Sequence, residues 1–378
     1  MPPKRQSPFV RHSRRPAVSI PPALTGSLLL LLAAAALLTL DRGMIGCRPA
    51  PDPAEIVMPS AAPHPALRGM IFPTPQQAFF GPDGDRGIQP TVSGRPESGR
   101  YGSTRTDSRG RASFHEGIDI AVVSRDAKGR PRDSATAVAN GRVAHANRAT
   151  GDSNYGRYVV LLHPDPAGPV YTLYAHLADI EPAVQAGVSV TRGARLGTVG
   201  HTPASLIPRD RAHLHFEIGL MANSRFTAWA RRQGFPNPHG LFNGRNLLGV
   251  DPIPVMLQRA SDPAFSMLRH LQTRSVAVTL AVQSRGRMPD FFIRHPALWT
   301  DPAPAGPVLV LACTEGGVPV SGRNATPEEA ARLGRARAVV LAVDEAVLGR
   351  NGRHLVVKRG HGWELGRNGE SWLDLLLF

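Results

Sequence analysis

Cysteine is almost absent: Cys47 and Cys313 are the only two in 378 residues. Two thiols so far apart exclude a disulfide framework and, equally, a thiolate-rich zinc site. Aromatic residues are scarce, at 6%, which leaves few side chains to stack on bases. Acidic residues number 29 against 44 lysines and arginines, a formal net charge of +15. Such a balance attracts polyanions, nucleic acid first among them. No zinc finger, RNP-type motif or recognition helix accompanies it. Arg95, Arg100, Arg105, Arg109 and Arg111 cluster without interleaved aromatics. No nucleic-acid partner is therefore expected; anionic wall polymers or lipid headgroups suit the charge better, and an ordinary solvated loop accounts for the arginine cluster most simply.

One long run carries no charge, Ala23 to Leu40. Eighteen residues of helix rise about 27 Å, enough to span a thin bilayer. Lys4, Arg5, Arg11, Arg14 and Arg15 precede it. That positive charge orients the N-terminus to the cytoplasm and everything after Leu40 to the outside. The expected order is a basic leader over 1–22, a membrane anchor or signal segment over 23–40, and a Pro/Ala-rich extended linker over 41–77. A cleaved signal is one alternative to a retained anchor. Met44-Ile45-Gly46-Cys47 resembles a lipoprotein box, which would make Cys47 a lipidation site.

From 78 to 250 the text changes to short apolar runs separated by glycine turns. Strands are expected over 119–123, 137–144, 158–162, 170–175, 187–190 and 213–218, with no long amphipathic helix among them. The fold class read from this is a mainly β domain of antiparallel sheet. A short helix is expected within 221–234, ended by Gly234 and Pro236. Residues 251–378 alternate buried-strand runs (275–283, 308–313, 336–343, 355–358) with a helix start at Thr326-Pro327-Glu328-Glu329. The latter places a capping oxygen before proline and two acids. A small α+β module results, and its histidines (His270, His295, His354, His361) have no ligand spacing.

The chemistry-bearing residues lie in the β region. His213-Leu214-His215-Phe216-Glu217-Ile218 alternates polar and apolar residues, so both histidines share one strand face, about 7 Å apart along the backbone. Fourteen histidines in this length supply about half a His-x-His pair by chance, so the pair alone says little. His115 and Asp119 are four apart, but Gly117 and the β-branched Ile118 and Ile120 argue against a helix. A turn at Gly117 into a strand from Ile118 would aim Asp119 away from the face buried by its isoleucine neighbours. His176 lies between, in Tyr174-Ala175-His176-Leu177. Four imidazoles and a carboxylate are ligand types that catalytic zinc sites draw on.

The order and context of these motifs resemble the LytM-type (lysostaphin-type) zinc endopeptidases of bacterial cell walls, peptidase family M23. The resemblance covers about 95–220. It includes Tyr101-Gly102-Ser103-Thr104-Arg105, Val138-Ala139-Asn140-Gly141-Arg142-Val143, the strand ending at His163, and Gln185-Ala186-Gly187 through Gly193. It implies a β domain with a substrate groove, a zinc ion held by His115, Asp119 and His215, and a catalytic pair in His176 and His213. Which of the pair is the general base stays open. It further implies hydrolysis of peptidoglycan cross-links or stem peptides in the cell envelope. The alternative is a non-catalytic wall-binding scaffold or amidase activator of the same fold. One stretch departs from the pattern: His201-Thr202-Pro203 through Ala212 replaces a short Ser/Thr-Gly turn, which implies a reshaped loop at one end of the groove.

Overall fold

The computed structural model describes residues 65–106, 112–349 and 351–378. The apolar segment 23–40, Cys47 and residues 41–64 lie outside them. Among the described residues no helix is long and apolar enough to cross a membrane.

Strands form where β-branched and aromatic runs are bounded by turns. A hairpin of β1 (Thr104–Thr106) and β2 (Ala112–Phe114) comes first. Then follow β3 (Ile118–Ala121), β4 (Ser134–Thr136), β5 (Gly141–Asn147), β6 (Tyr158–His163) and β7 (Val170–Ala175). After these come β8 (Ser189–Val190), β9 (Arg195–Thr198), β10 (His213–Met221), α1 (Phe226–Arg232) and β11 (Leu247–Val250). β4 pairs with β9; the other strands after the hairpin form one antiparallel sheet of seven, ordered β11-β10-β7-β6-β5-β8 with β3 also on β10. Mainly antiparallel β structure is the class read from the sequence. β6 and β7 are buried at every position, which is why Val159–Leu162 reads as a continuous apolar run rather than an alternation. Phe216, fully buried, contributes about 1.5–3 kcal/mol of transfer free energy by its burial.

Two elements differ from the sequence expectation. The strand expected from Ala137 begins at Gly141, because the backbone before it bonds outside the ladder: Ala137 donates to Ala194 and Val138 to the Tyr174 hydroxyl. The helix expected over 221–234 is confined to α1, because β10 extends nine residues, to Met221. Residues 65–77, within the Pro/Ala-rich stretch, pack on the sheet. Leu67 and Met70 are buried there, and Ile71 donates to the Val138 carbonyl.

The C-terminal part contains α2 (Pro252–Ser261), α3 (Met267–Gln272), β12 (Val278–Gln283), α4 (Asp290–Arg294), β13 (Val308–Cys313) and β14 (Pro319–Asn324). It continues through α5 (Pro327–Leu333), β15 (Ala338–Val343), α6 (Glu345–Leu348), the hairpin β16 (Val356–Arg359) and β17 (Gly362–Leu365), and α7 (Arg367–Leu376). Its sheet runs β14-β13-β12-β15. α5 starts with a full capping box between Thr326 and Glu329. Apolar burial is continuous from Leu67 to Leu376, so the C-terminal part and the β sheet share one core.

Candidate active site

β10 is the strand on which the site is built. Its pleat sets His213, His215 and Glu217 on one face. Register then chooses their neighbours: Asp119 of β3 lies opposite His215 along one edge, and Ala175 of β7 opposite it along the other. His176, the residue after β7, ends beside both histidines. One edge of β10 changes partner at Glu217, pairing with β3 before it and with β11 after it. His115-Glu116-Gly117 crosses the strand at this break. A Cβ on Gly117 would lie 2.2 Å from the Phe216 carbonyl oxygen, so only glycine permits the crossing.

Three donors meet there. His115 Nε2 is 3.1 Å from Asp119 Oδ1 and 3.0 Å from His215 Nδ1, and His215 Nδ1 is 3.1 Å from Asp119 Oδ1. Hydrogen-bond logic fixes what each atom presents. His115 Nδ1 faces the Arg100 carbonyl at 2.9 Å, so it carries the proton and Nε2 presents its lone pair. His215 Nε2 donates to Glu217 Oε1 at 2.8 Å, so Nδ1 presents its lone pair whenever the ring is neutral and donates to Asp119 when it is protonated. With His215 neutral, three acceptor atoms lie within hydrogen-bond distance of one another, an arrangement that could hold a cation; the Arg105 guanidinium also lies 3.1 Å from His115 Nε2 and pairs with Asp119 Oδ2. These three residues form the one group among the described residues whose donor atoms are placed to hold a metal ion.

The surroundings enforce this arrangement. Glu217 is fully buried and accepts from the hydroxyls of Tyr155 (2.6 Å) and Tyr171 (2.9 Å) besides His215. Burial pushes its carboxyl up, but these bonds outweigh burial and hold it below the ordinary carboxylate range. Burial also opposes the charge on Asp119; the His115, Arg105 and His213 side chains around it more than offset burial and hold the carboxyl well below its ordinary range. Arg105 pairs with Asp119 Oδ2 and donates to the Ser98 carbonyl. Burial draws His115 down to about 4. His215, buried too, is instead raised to about 9, because its hydrogen bonds to Asp119 and Glu217 overcome burial. The same two carboxylates that favour a proton there favour a metal cation.

The other two histidines face this group. The His176 and His213 rings are 4.8 Å apart, and His176 is 5.7 Å from His215. Each donates Nδ1–H to a carbonyl, His176 to Thr202 at 2.8 Å and His213 to Arg211 at 2.7 Å. Both therefore present an Nε2 lone pair. His213 Nε2 is buried, lies 3.5 Å from Asp119 Oδ1 and has no hydrogen-bond partner among the described residues. His176 sits in the left-handed region with φ 64°, a strained conformation for a residue with a Cβ. Burial lowers both pKa values, His176 well below the ordinary value, where the His213 and His215 charges add to the effect. Both rings are neutral at pH 7.

All five residues singled out in the sequence thus lie at one place. The sequence reading assigned nothing to Glu217, Tyr155 or Tyr171. For Glu217 the period-two pattern that pairs His213 with His215 was the available signal; the tyrosines had none. His201 bonds to the Ile207 carbonyl within its own loop.

Solved structures resemble parts of the chain. A zinc-containing peptidase from Vibrio cholerae is 25% identical over 32% of this chain and 31% of its own, with a TM-score of 0.23. Lysostaphin in solution is 20% identical over 42% and 49%, TM-score 0.26. The catalytic domain of lysostaphin from Staphylococcus simulans is 19% identical over 42% and 89%, TM-score 0.27. The chain therefore spans less than half the length of the first two. No curated protein matches it. Its central segment, residues 113–226, holds all five of these side chains and matches the model of Peptidase family M23.

Proposed function

We propose that this protein is a zinc-dependent endopeptidase that hydrolyses peptide bonds of peptidoglycan cross-links or stem peptides in the bacterial cell envelope. One observation carries the reading: three lone-pair donors converge beside two neutral, carbonyl-anchored histidines, inside a segment that matches a peptidase family. The donor set suits zinc, which is bound by histidine nitrogen and carboxylate oxygen. His115, Asp119 and His215 would hold it, leaving one tetrahedral position open. Bound zinc supplies Lewis acidity, polarising a carbonyl and making water nucleophilic near neutral pH.

The remaining work falls to the chain. Glu217 fixes the His215 ring by holding Nε2, so that Nδ1 is the atom that would be offered to a bound metal. His176 or His213 accepts at Nε2 the proton of the attacking water; the ring so charged faces the developing oxyanion and then passes that proton to the leaving amine. The Thr202 and Arg211 carbonyls bind Nδ1–H in both protonation states, so neither ring needs to turn during the cycle. The family resemblance of 95–220 points to wall peptides as the substrate and the cell envelope as the location.

The test uses the full chain, purified and measured for zinc, then incubated with peptidoglycan sacculi. About one zinc per chain and peptide fragments cut at a defined bond are expected. Zinc-loaded protein that releases no peptide would leave a binding scaffold as the answer.

A further inference from the structure

A cleft of about 520 Å³ opens between the catalytic sheet and helix α7. It adjoins the candidate metal site on the Glu217 side. Tyr155 lines it while donating its hydroxyl to Glu217, and Glu116, the neighbour of His115 in sequence, lines it too. The opposite wall comes from the C-terminal part, through Arg353, Asn368, Ser371 and Trp372. No part of segment 113–226 supplies that wall.

The lining chemistry selects the ligand. Glu116, the only carboxylate among the described lining residues, is bound by the Arg353 guanidinium, which also lies 5.6 Å above the Phe114 ring. Arg245 at the rim rests over the Phe235 ring. Glu116 and Arg353 offset each other, which leaves the Arg245 charge at the rim among the described lining residues. Asn154, Asn368 and Ser371 stand exposed around it and offer amide and hydroxyl groups, one Asn368 N–H being already given to the Arg353 carbonyl. Trp372 and Trp229 spend their indole N–H groups on the Gly317 carbonyl and Asp374. Only ring carbon remains for them to present to the cleft, as an apolar floor. The volume falls within the roughly 300–1,000 Å³ of small-molecule clefts. Hydrogen-bonding walls over aromatic carbon, with the guanidinium charge at the rim, suit a ligand that is ring-shaped and rich in hydroxyl and amide groups.

We infer that this cleft is a saccharide subsite for an N-acetylated hexosamine, built by the C-terminal part beside the hydrolytic centre. The inference rests on the wall-hydrolase reading, under which the peptide to be cut hangs from such a sugar chain. The subsite would hold the glycan while its attached peptide lies over His176 and His213. Recognition of a glycan-borne peptide in preference to a free one then follows from the C-terminal part.

The probe is a β-1,4-linked trimer of N-acetylglucosamine, titrated calorimetrically into the zinc-loaded full chain. Saturable binding is expected. Ser371→Phe, at an exposed position of α7, fills the cleft and should weaken binding by at least about tenfold, with zinc content and thermal unfolding unchanged. Asn368→Ala, which removes one amide without adding bulk, should weaken it in the same direction and serves if Ser371→Phe misfolds. No binding at millimolar trimer, or equal binding by the wild type and both variants, overturns the subsite. The two readings fail separately. A protein that binds the trimer but cuts no wall peptide refutes the hydrolase and keeps the subsite; one that cuts wall peptide without binding the trimer does the reverse.

Discussion

His213 and His215 stand two residues apart on one face, yet their rings present different atoms. His215 offers Nδ1 to the group of three because Glu217 takes its Nε2 proton; His213 offers Nε2 because the Arg211 carbonyl takes its Nδ1 proton. Opposite outcomes of substitution follow. His215→Ala and Asp119→Ala should lose zinc and activity together. His213→Ala and His176→Ala should keep zinc, assayed in excess metal, while activity falls by about 10²–10⁴. Zinc loss in His213→Ala with retention in His215→Ala would reverse the roles. Glu217→Gln tests the ring-orienting bond separately, because an amide turned either way keeps one hydrogen-bonding atom near His215 but cannot match the carboxylate. Zinc affinity should drop by about 10–100-fold, read by competition with a chelator; unchanged affinity would mean that Glu217 does not tune the ligand. Alternation in the sequence made the shared histidine face legible. Ring orientation was not, because it depends on hydrogen bonds to carbonyls and carboxylates brought in by folding.

The loop after β9 is the element where sequence and structure diverge most usefully. His201 to Ala212 read as a reshaped loop at one end of the groove. It also supplies, near its two ends, the Thr202 and Arg211 carbonyls that hold the catalytic candidates. Thr202 is clamped in turn, its hydroxyl accepting from the Arg157 amide and donating to the Leu177 carbonyl. The far end is held from outside: the Arg125 guanidinium donates to the Arg209 and Asp210 carbonyls, next to Arg211. Arg125→Met keeps the stem but removes both bonds to the loop, together with a third to the Gly129 carbonyl. It should lower kcat by about tenfold, the scale of one or two charge-assisted hydrogen bonds at a partly exposed site, with zinc stoichiometry intact. Unchanged kcat would show that the loop holds His213 without this brace. Regular strands such as β6, β7 and β10 were readable from apolar pattern, whereas the hairpin of β1 and β2 and the start of β5 were not. Three-residue strands are too short for a period, and Ala137–Asn140 has strand-like composition but finds its partners outside the ladder.

At the scale of the molecule, the C-terminal part is joined to the β sheet more closely than its separate sequence character suggested. Arg353 binds Glu116, Gly352 packs on the Gly102 carbonyl and Thr104, and Asn223 donates to the Leu375 carbonyl. Such contacts span more than a hundred residues, and no local pattern encodes them. His295 makes another, and it carries a pH consequence. Its ring is buried, donates Nδ1–H to the Ala167 carbonyl at 2.7 Å, and receives Arg294 at Nε2 at 3.3 Å. Burial, with the Arg294 charge second, draws its pKa down to about 3. A histidine depressed in the folded state is protonated first in the unfolded chain, near pH 6.5. Its neutral form therefore favours folding fully above about pH 6.5, and this stability is lost as pH falls from there toward 3. His163, drawn down to about 4 by burial and bonded to the Asn140 carbonyl, acts with the same sign. His295→Gln can still donate to Ala167 but cannot take up a proton. Its melting temperature should start below that of the wild type at pH 7.5, because packing is imperfect. The gap should then narrow as pH is lowered to 4.5, since only the wild type carries the protonation penalty at this position. A gap that stays constant across that range would mean His295 does not link protonation to folding, and the acid sensitivity would have to come from His163 or the carboxylates.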